Sequence, residues 1–141
     1  MARTHGKNAD FSFNAVSIET ELNNIVMNAS VPEAEITAFA DTYQNYLAGK
    51  KNVTTDISGT LDLALAAGEI TIFDAIGAGP VTTLFDLTGS GPAADNPEYQ
   101  CTAAGLTGVL VSRYHISLPV GDKASYSATL QHSGSTTRAL A

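Results

Sequence analysis

Val53-Thr54-Thr55-Asp56-Ile57-Ser58-Gly59-Thr60-Leu61-Asp62-Leu63-Ala64-Leu65 alternates apolar and polar residues almost without a break. Val53, Thr55, Ile57, Gly59, Leu61, Leu63 and Leu65 fall on one side, and the acids and hydroxyls fall on the other. A period of two predicts a β-strand with one buried and one wet face. At about 3.3 Å per residue, thirteen residues span roughly 40 Å, far beyond the usual strand. The wet face offers small hydroxyls, Asp56 and Asp62, with no group suited to catalysis. A strand longer than its own core requires points to scaffolding or assembly.

Working outward, the same period recurs on both sides. Phe11 and Phe13 share one face of a short strand, and Leu22 to Val31 forms another. After Pro32, residues Glu33 to Phe39 alternate again with Glu33 and Glu35 on the wet face. From Ala40 to Asn52 the alternation fails, and Tyr43, Tyr46, Leu47, Gly49, Lys50 and Lys51 read as a long loop. Loops of that length in compact domains are commonly functional. Beyond the long strand, residues 66–77 form the one expected helix, ended by Gly77 and Gly79. Val81 to Leu87 and Val109 to Leu118 return to strand, with a turn-rich excursion from Gly89 to Pro97. Gly121-Asp122 turns the chain into Lys123 to Gln131, where Ala124, Tyr126, Ala128 and Leu130 face inward. Residues 1–9 form a polar arm and 133–141 a polar tail. The pattern predicts a mainly β single domain over 1–141, a sandwich or rolled, barrel-like sheet flanked by one α-helix. Its open strand edges invite pairing with another chain.

Composition narrows the function classes. The 141 residues suffice for one domain. Charged residues make up only 15 %, below the usual quarter, so hydroxyls and small apolar groups dominate the surface. Fourteen acids against seven bases give a formal charge of −7, which opposes an electrostatic grip on nucleic acid. No apolar run approaches the ~20 residues of a membrane span. Cys101 stands alone, excluding an internal disulfide, and Met1 to Asp10 lacks a signal peptide's apolar core, so cytoplasmic assembly is expected.

No catalytic constellation emerges. His5, His115 and His132 share no metal-binding spacing. Cys101 with His115 is the sole conceivable nucleophile and base, and a small buried cysteine is the simpler reading. Glu33 with Glu35, and Asp56 with Asp62, lie on wet strand faces without a pocket. Gly77-Ala78-Gly79 and Gly89-Ser90-Gly91 lack the residues that complete a phosphate loop. The sequence therefore predicts no enzyme, no cofactor and no metal.

The order of these features resembles the tail tube (major tail) proteins of long-tailed bacteriophages. The likeness runs from Thr4-His5-Gly6-Lys7-Asn8 into Asp10-Phe11-Ser12-Phe13, then through Val16-Ser17-Ile18 and Leu22-Asn23-Asn24-Ile25. Thr37-Ala38-Phe39-Ala40-Asp41 stands where the family carries a threonine, phenylalanine, glycine, aspartate element, with Ala40 at the glycine. Tyr46-Leu47-Ala48-Gly49 precedes the long strand ending Ile57-Ser58-Gly59-Thr60-Leu61-Asp62. Val120 to Ala128 and Gln131-His132-Ser133-Gly134 look like the closing hairpin.

The resemblance implies a structural virion protein that forms hexameric rings stacked into a hollow tube, through which the genome passes without specific binding. The inner strands of neighbouring subunits would join into a continuous barrel. The 40–52 loop, with Tyr43, Tyr46, Leu47, Gly49, Lys50 and Lys51, would bridge rings, and Glu33, Glu35, Asp56 and Asp62 would be lumen-facing acids. Six copies at −7 give −42 per ring. Implied partners are further copies of the chain, with tape-measure, tail terminator and distal tail proteins, in a phage tail assembled in the host cytoplasm. A capsid decoration or head–tail neck protein of related β-fold is the nearest alternative. A sugar-binding sandwich would need aromatic platforms, and the chain has no Trp.

Overall fold

The computed structural model describes residues 9–19, 21–61, 68–89, 91 and 96–139. Eleven strands and one short helix follow in the order β1 (Asp10–Phe13), β2 (Val16–Ser17), β3 (Leu22–Ser30), β4 (Glu33–Glu35), β5 (Tyr46–Ala48), β6 (Asn52–Thr60), α1 (Gly68–Asp74), β7 (Thr83–Asp86), β8 (Glu98–Cys101), β9 (Gly108–Ser117), β10 (Ser125–Ser133) and β11 (Thr137–Ala139). They make a five-stranded sheet, β11-β8-β7-β1-β2, a four-stranded sheet, β3-β6-β10-β9, and a separate β4-β5 ribbon. Among the described residues all strand pairings are antiparallel.

Alternation builds the core. Along β6, Thr55, Ile57 and Gly59 are buried while Asp56 and Thr60 are exposed, and along β10 Tyr126, Ala128 and Leu130 are buried. Phe11 and Phe13 of β1 meet them from the other sheet, with Ile18, Ile72, Val109 and Cys101 closing the cluster. Reciprocal backbone bonds between Val81 and Val109, 3.0 and 2.8 Å, tie the two sheets together at one margin. The mainly β sandwich expected from the pattern is what forms.

The chain also departs from the expected boundaries. The strand predicted over Val53 to Leu65 occupies Asn52–Thr60. It stops there because its neighbours stop: Ser125 opposite Thr60 begins β10, and Leu61 N–H instead donates to the Ala124 carbonyl at 3.1 Å. Residues 62–67, Asp62 included, lie outside the described residues, as do 1–8 of the polar arm. Of the helix predicted at 66–77, residues 66 and 67 lie outside the described residues, Gly68–Asp74 is helical, and 75–77 is a turn. Gly68 leaves no room for a side chain, since a Cβ there would lie 2.7 Å from the Tyr126 hydroxyl oxygen. Gly59 is similarly required: a Cβ there would collide with the Glu21 carbonyl, where β3 slips register between Leu22 and Asn24.

Two segments read as irregular are paired. The expected 40–52 loop contains β5, which with β4 forms a ribbon (Glu33↔Ala48, Ala34↔Leu47, Glu35↔Tyr46). Three residues are too few to show a period, so the partner had to be seen. The alternation of Glu33 to Phe39 yields strand only to Glu35. The Asp41 carboxylate then draws the chain round, taking the Ala38 N–H at 2.7 Å and the Asn45 amide at 3.0 Å. The 133–141 tail likewise forms β11, whose backbone pairs with β8 (Thr137↔Gln100, Arg138↔Tyr99, Ala139↔Glu98). Backbone pairing at a sheet edge needs no apolar pattern, so neither strand announces itself in the sequence.

Candidate assembly surfaces

Three surfaces stand out, and none is a cleft built for chemistry. The first is a pair of open edges. β3 and β9 flank the four-stranded sheet, nine and ten residues long, with no strand on their outer sides among the described residues. Their half-buried Ile25, Met27, Val111 and Tyr114 leave apolar surface along both edges. Long flat edges of this kind are templates for pairing.

The second is the wet face of that sheet. Register places Val26, Asp56, Thr129 and Arg113 in one cross-strand row, and Asn24, Ser58, Ser127 and His115 in the next. The Thr129 hydroxyl donates to Asp56 Oδ1 at 2.8 Å, and the Ser58 hydroxyl to Asn23 Oδ1 at 3.1 Å. A shallow hollow of about 240 Å³ opens between Asp56, Arg113 and His115. In all four strands the formally charged side chains are Asp56 and Arg113 alone. The face is thus a carpet of hydroxyls and amides with balanced charge.

The third is the β4-β5 ribbon, which continues the β3–β6 pair past the end of the sheet. Residues 30–52 are all exposed, so the other described residues leave this arm largely uncovered. Gly49 N–H donates to the Pro32 carbonyl at 2.7 Å and Ile36 N–H to the Asn45 carbonyl at 2.8 Å, which holds the ribbon at both ends. Residues opposite each other share a face, so Ala34, Ile36 and Leu47 form an apolar side, while Glu33, Glu35 and Tyr46 form an acidic one. The expected ring-bridging residues Tyr43, Tyr46, Leu47, Gly49, Lys50 and Lys51 are all here and exposed. The expected lumen acids separate: Glu33 and Glu35 lie on this arm, whereas Asp56 lies on the sheet.

The buried polar groups are structural. Glu21 Oε2 accepts the Gly68 N–H at 2.8 Å, and the Tyr114 hydroxyl donates to Glu69 Oε1 at 2.7 Å, so two carboxylates fasten α1 to the sheet. Burial, then the neighbouring Glu69 carboxylate, pushes the Tyr114 hydroxyl far above its ordinary pKa. Burial, then the charges of Glu21 and Glu69, does the same at Tyr126. Both His132 ring nitrogens lie 2.8 Å from a hydroxyl, Thr55 Oγ1 and Thr136 Oγ1, and burial lowers its pKa. Burial alone would raise the Asp86 carboxyl. The N–H groups of Thr88, Gly91 and Gly89 and the Asn96 amide outweigh it and hold the group below its ordinary value.

Cys101 and His115 cannot act together. Cys101 is fully buried in β8, its thiol 3.8 Å from the Ser133 carbonyl, while His115 is exposed on the wet face of the other sheet. No trio of metal-ligating side chains occurs among the described residues. No described helix is long and apolar enough to cross a membrane.

The sequence matches no protein-family model and no curated protein. Solved structures are similar in fold. A chain of the virion of a native gene transfer agent particle superposes with TM-score 0.74 at 11 % identity, covering 96 % of this chain and 98 % of that one. The SPP1 tail tube gives 0.73 at 12 % identity, over 99 % and 80 % of the two chains. The tail of an empty gene transfer agent particle, of C6 symmetry, gives 0.64 at 12 %, over 83 % and 81 %. The chain has the tail-tube fold.

Proposed function

We infer that the chain is a structural subunit of a virion tail, built as six-membered rings stacked into a hollow tube. The observation that carries this reading is the four-stranded sheet, whose β3 edge is unpaired and whose β9 edge is open beyond the Val81–Val109 bridge at its start. With four antiparallel strands, β3 and β9 run in opposite directions, so β9 of one copy meets β3 of the next as an antiparallel neighbour. Repetition about an axis closes the sheet and abolishes both edges. Six copies supply 24 strands, more than the 16–18 that already enclose an aqueous channel in porins. The C6 symmetry of the gene transfer agent tail favours six. The five-stranded sheet covers the core face, so the hydroxyl-rich face turns to the lumen.

Such a lumen is electrically balanced rather than strongly acidic, since each copy contributes Asp56 and Arg113. A duplex finds no array of cations to neutralise its phosphates, so it passes without specific binding. The single-domain organisation, the β4-β5 arm as ring bridge, and tape-measure, terminator and distal tail proteins as partners belong to the same reading. The role is structural, with no enzymatic step.

The structure supplies a clean test. Ser30 pairs with Asn52 at the end of β3–β6, so an Asn-Gly turn can replace residues 31–51 and leave an ordinary hairpin. The expected product is a folded subunit that forms rings and no tubes. Normal tubes from it would refute the arm's bridging role.

A further inference from the structure

The topology sets two apolar features at opposite ends of the same sheet. β3 ends and β6 begins at the arm, whereas β9 ends and β10 begins at the turn 118–124, where Ser117 pairs with Ser125 and Thr60 pairs with the same residue. The nine-residue β6 separates these ends by roughly 25–30 Å at about 3.3 Å per residue. The turn is unusual in chemistry. Leu118 is 70 % exposed and Val120 is 106 % exposed, on either side of Pro119, where solvent-facing turns are ordinarily polar. The arm offers the counterpart. Ile36 and Leu47 are about 60 % exposed, and a shallow hollow of about 220 Å³ lies at its base, lined by Pro32, Ala34, Leu47, Ala48 and Gly49 with Glu33 at its rim.

Both features stand exposed among the described residues. We propose that the Leu118-Pro119-Val120 turn of one copy seats on the apolar face of the β4-β5 arm of a second copy in the adjoining ring. This rests on the tube reading and names the receptor for the arm within it. The contact is heterologous, head to tail, so it does not close on itself and propagates along the axis. A partner of another kind would have no reason to match both ends of the sheet at once. A second copy does, because repetition brings every arm to a turn. Glu35 and Tyr46 then stay in water on the acidic side while the apolar side is covered, with Glu33 at the rim of the contact. Exposed apolar turns and amphipathic ribbons are costly on a monomer and are explained once mutual burial removes them from solvent.

Disulfide trapping tests the contact. In a Cys101→Ala background, Leu47→Cys and Val120→Cys are placed in one chain, assembled, imaged and mildly oxidised. The two thiols of one copy are too far apart to bond, so a bond must join copies. The expected result is a ladder of covalent multimers running well past six, with each single-cysteine variant limited to monomer. A ladder that stops at six would place the contact within a ring and overturn the proposal. Tubes whose copies remain monomeric on oxidation overturn it as well, while leaving the tube reading intact. A wild-type chain that never forms tubes overturns both. As an independent measure, Val120→Asp on the exposed turn should leave the melting curve unchanged and raise the concentration needed for elongation at least about tenfold. Unchanged elongation refutes the contact.

Discussion

Gly59→Ala should cripple the subunit although it adds one methyl group. Gly59 lies at the inward side of β6, and the added Cβ would strike the Glu21 carbonyl oxygen, with the Glu21 carbonyl carbon and Leu22 Cα each 3.0 Å away. All three are backbone, so no rotamer change relieves the contact, and β3 must move. That movement weakens the Thr60 N–H bond to the same Glu21 carbonyl, 2.9 Å in the native chain. It also disturbs the Glu21 carboxylate that caps Gly68 at 2.8 Å. Overpacking of this kind costs about 1–3 kcal/mol and a weakened hydrogen bond about 1 kcal/mol, so a loss of about 2–4 kcal/mol is expected. At this chain length that corresponds to a fall in Tm of roughly 10 °C. Urea melts of dilute subunit, followed by circular dichroism at fixed protein concentration, would measure it. A change below about 0.5 kcal/mol would refute the claim that the β3 register shift is locked by the missing side chain.

Other outcomes follow from the same geometry. Leu130→Ala, in a fully buried site, should cost about 2–5 kcal/mol in a urea melt, whereas Leu47→Ala on the exposed arm should change stability by less than about 0.5 kcal/mol. His132 has a folded pKa below its unfolded value, so its neutral form stabilises the fold at neutral pH. Stability should therefore fall as pH drops below about 6.5, and His132→Gln should flatten that part of the pH profile. Glu21→Gln keeps an acceptor for Gly68 N–H but removes the charge beside Tyr126. The Tyr126 hydroxyl should then titrate at lower pH, seen as tyrosinate absorbance moving to lower pH.

The sequence carried the sandwich because its central strands bury one face. Thr55, Ile57, Tyr126, Ala128 and Leu130 announce their direction by period alone. Strands that earn their place through backbone pairing were silent. β5, β8 and β11 are three or four residues long, and the edge strand β11 satisfies its ladder without an apolar stripe. The end of β6 was illegible for a related reason: the alternation continues to Leu65, but the neighbouring strands that would pair with it stop at Thr60. The failure of pattern around Tyr43 to Lys51 marks the arm in the sequence, whereas its amphipathic ribbon shows only in the register of Glu33–Glu35 against Tyr46–Ala48. Nothing in the spacing could separate Glu33 and Glu35 from Asp56. They share a wet strand face in the sequence and occupy different elements in the fold.

In the proposed tube the four-stranded sheet closes through its β3 and β9 edges. Electron microscopy of the purified chain across a range of concentration and salt tests it most directly. The expected result is hollow tubes of six copies per ring, with β9 of each copy hydrogen-bonded to β3 of the next around an unbroken barrel. A chain that stays monomeric at high concentration in every salt, or rings in which β3 and β9 remain unpaired, would contradict it.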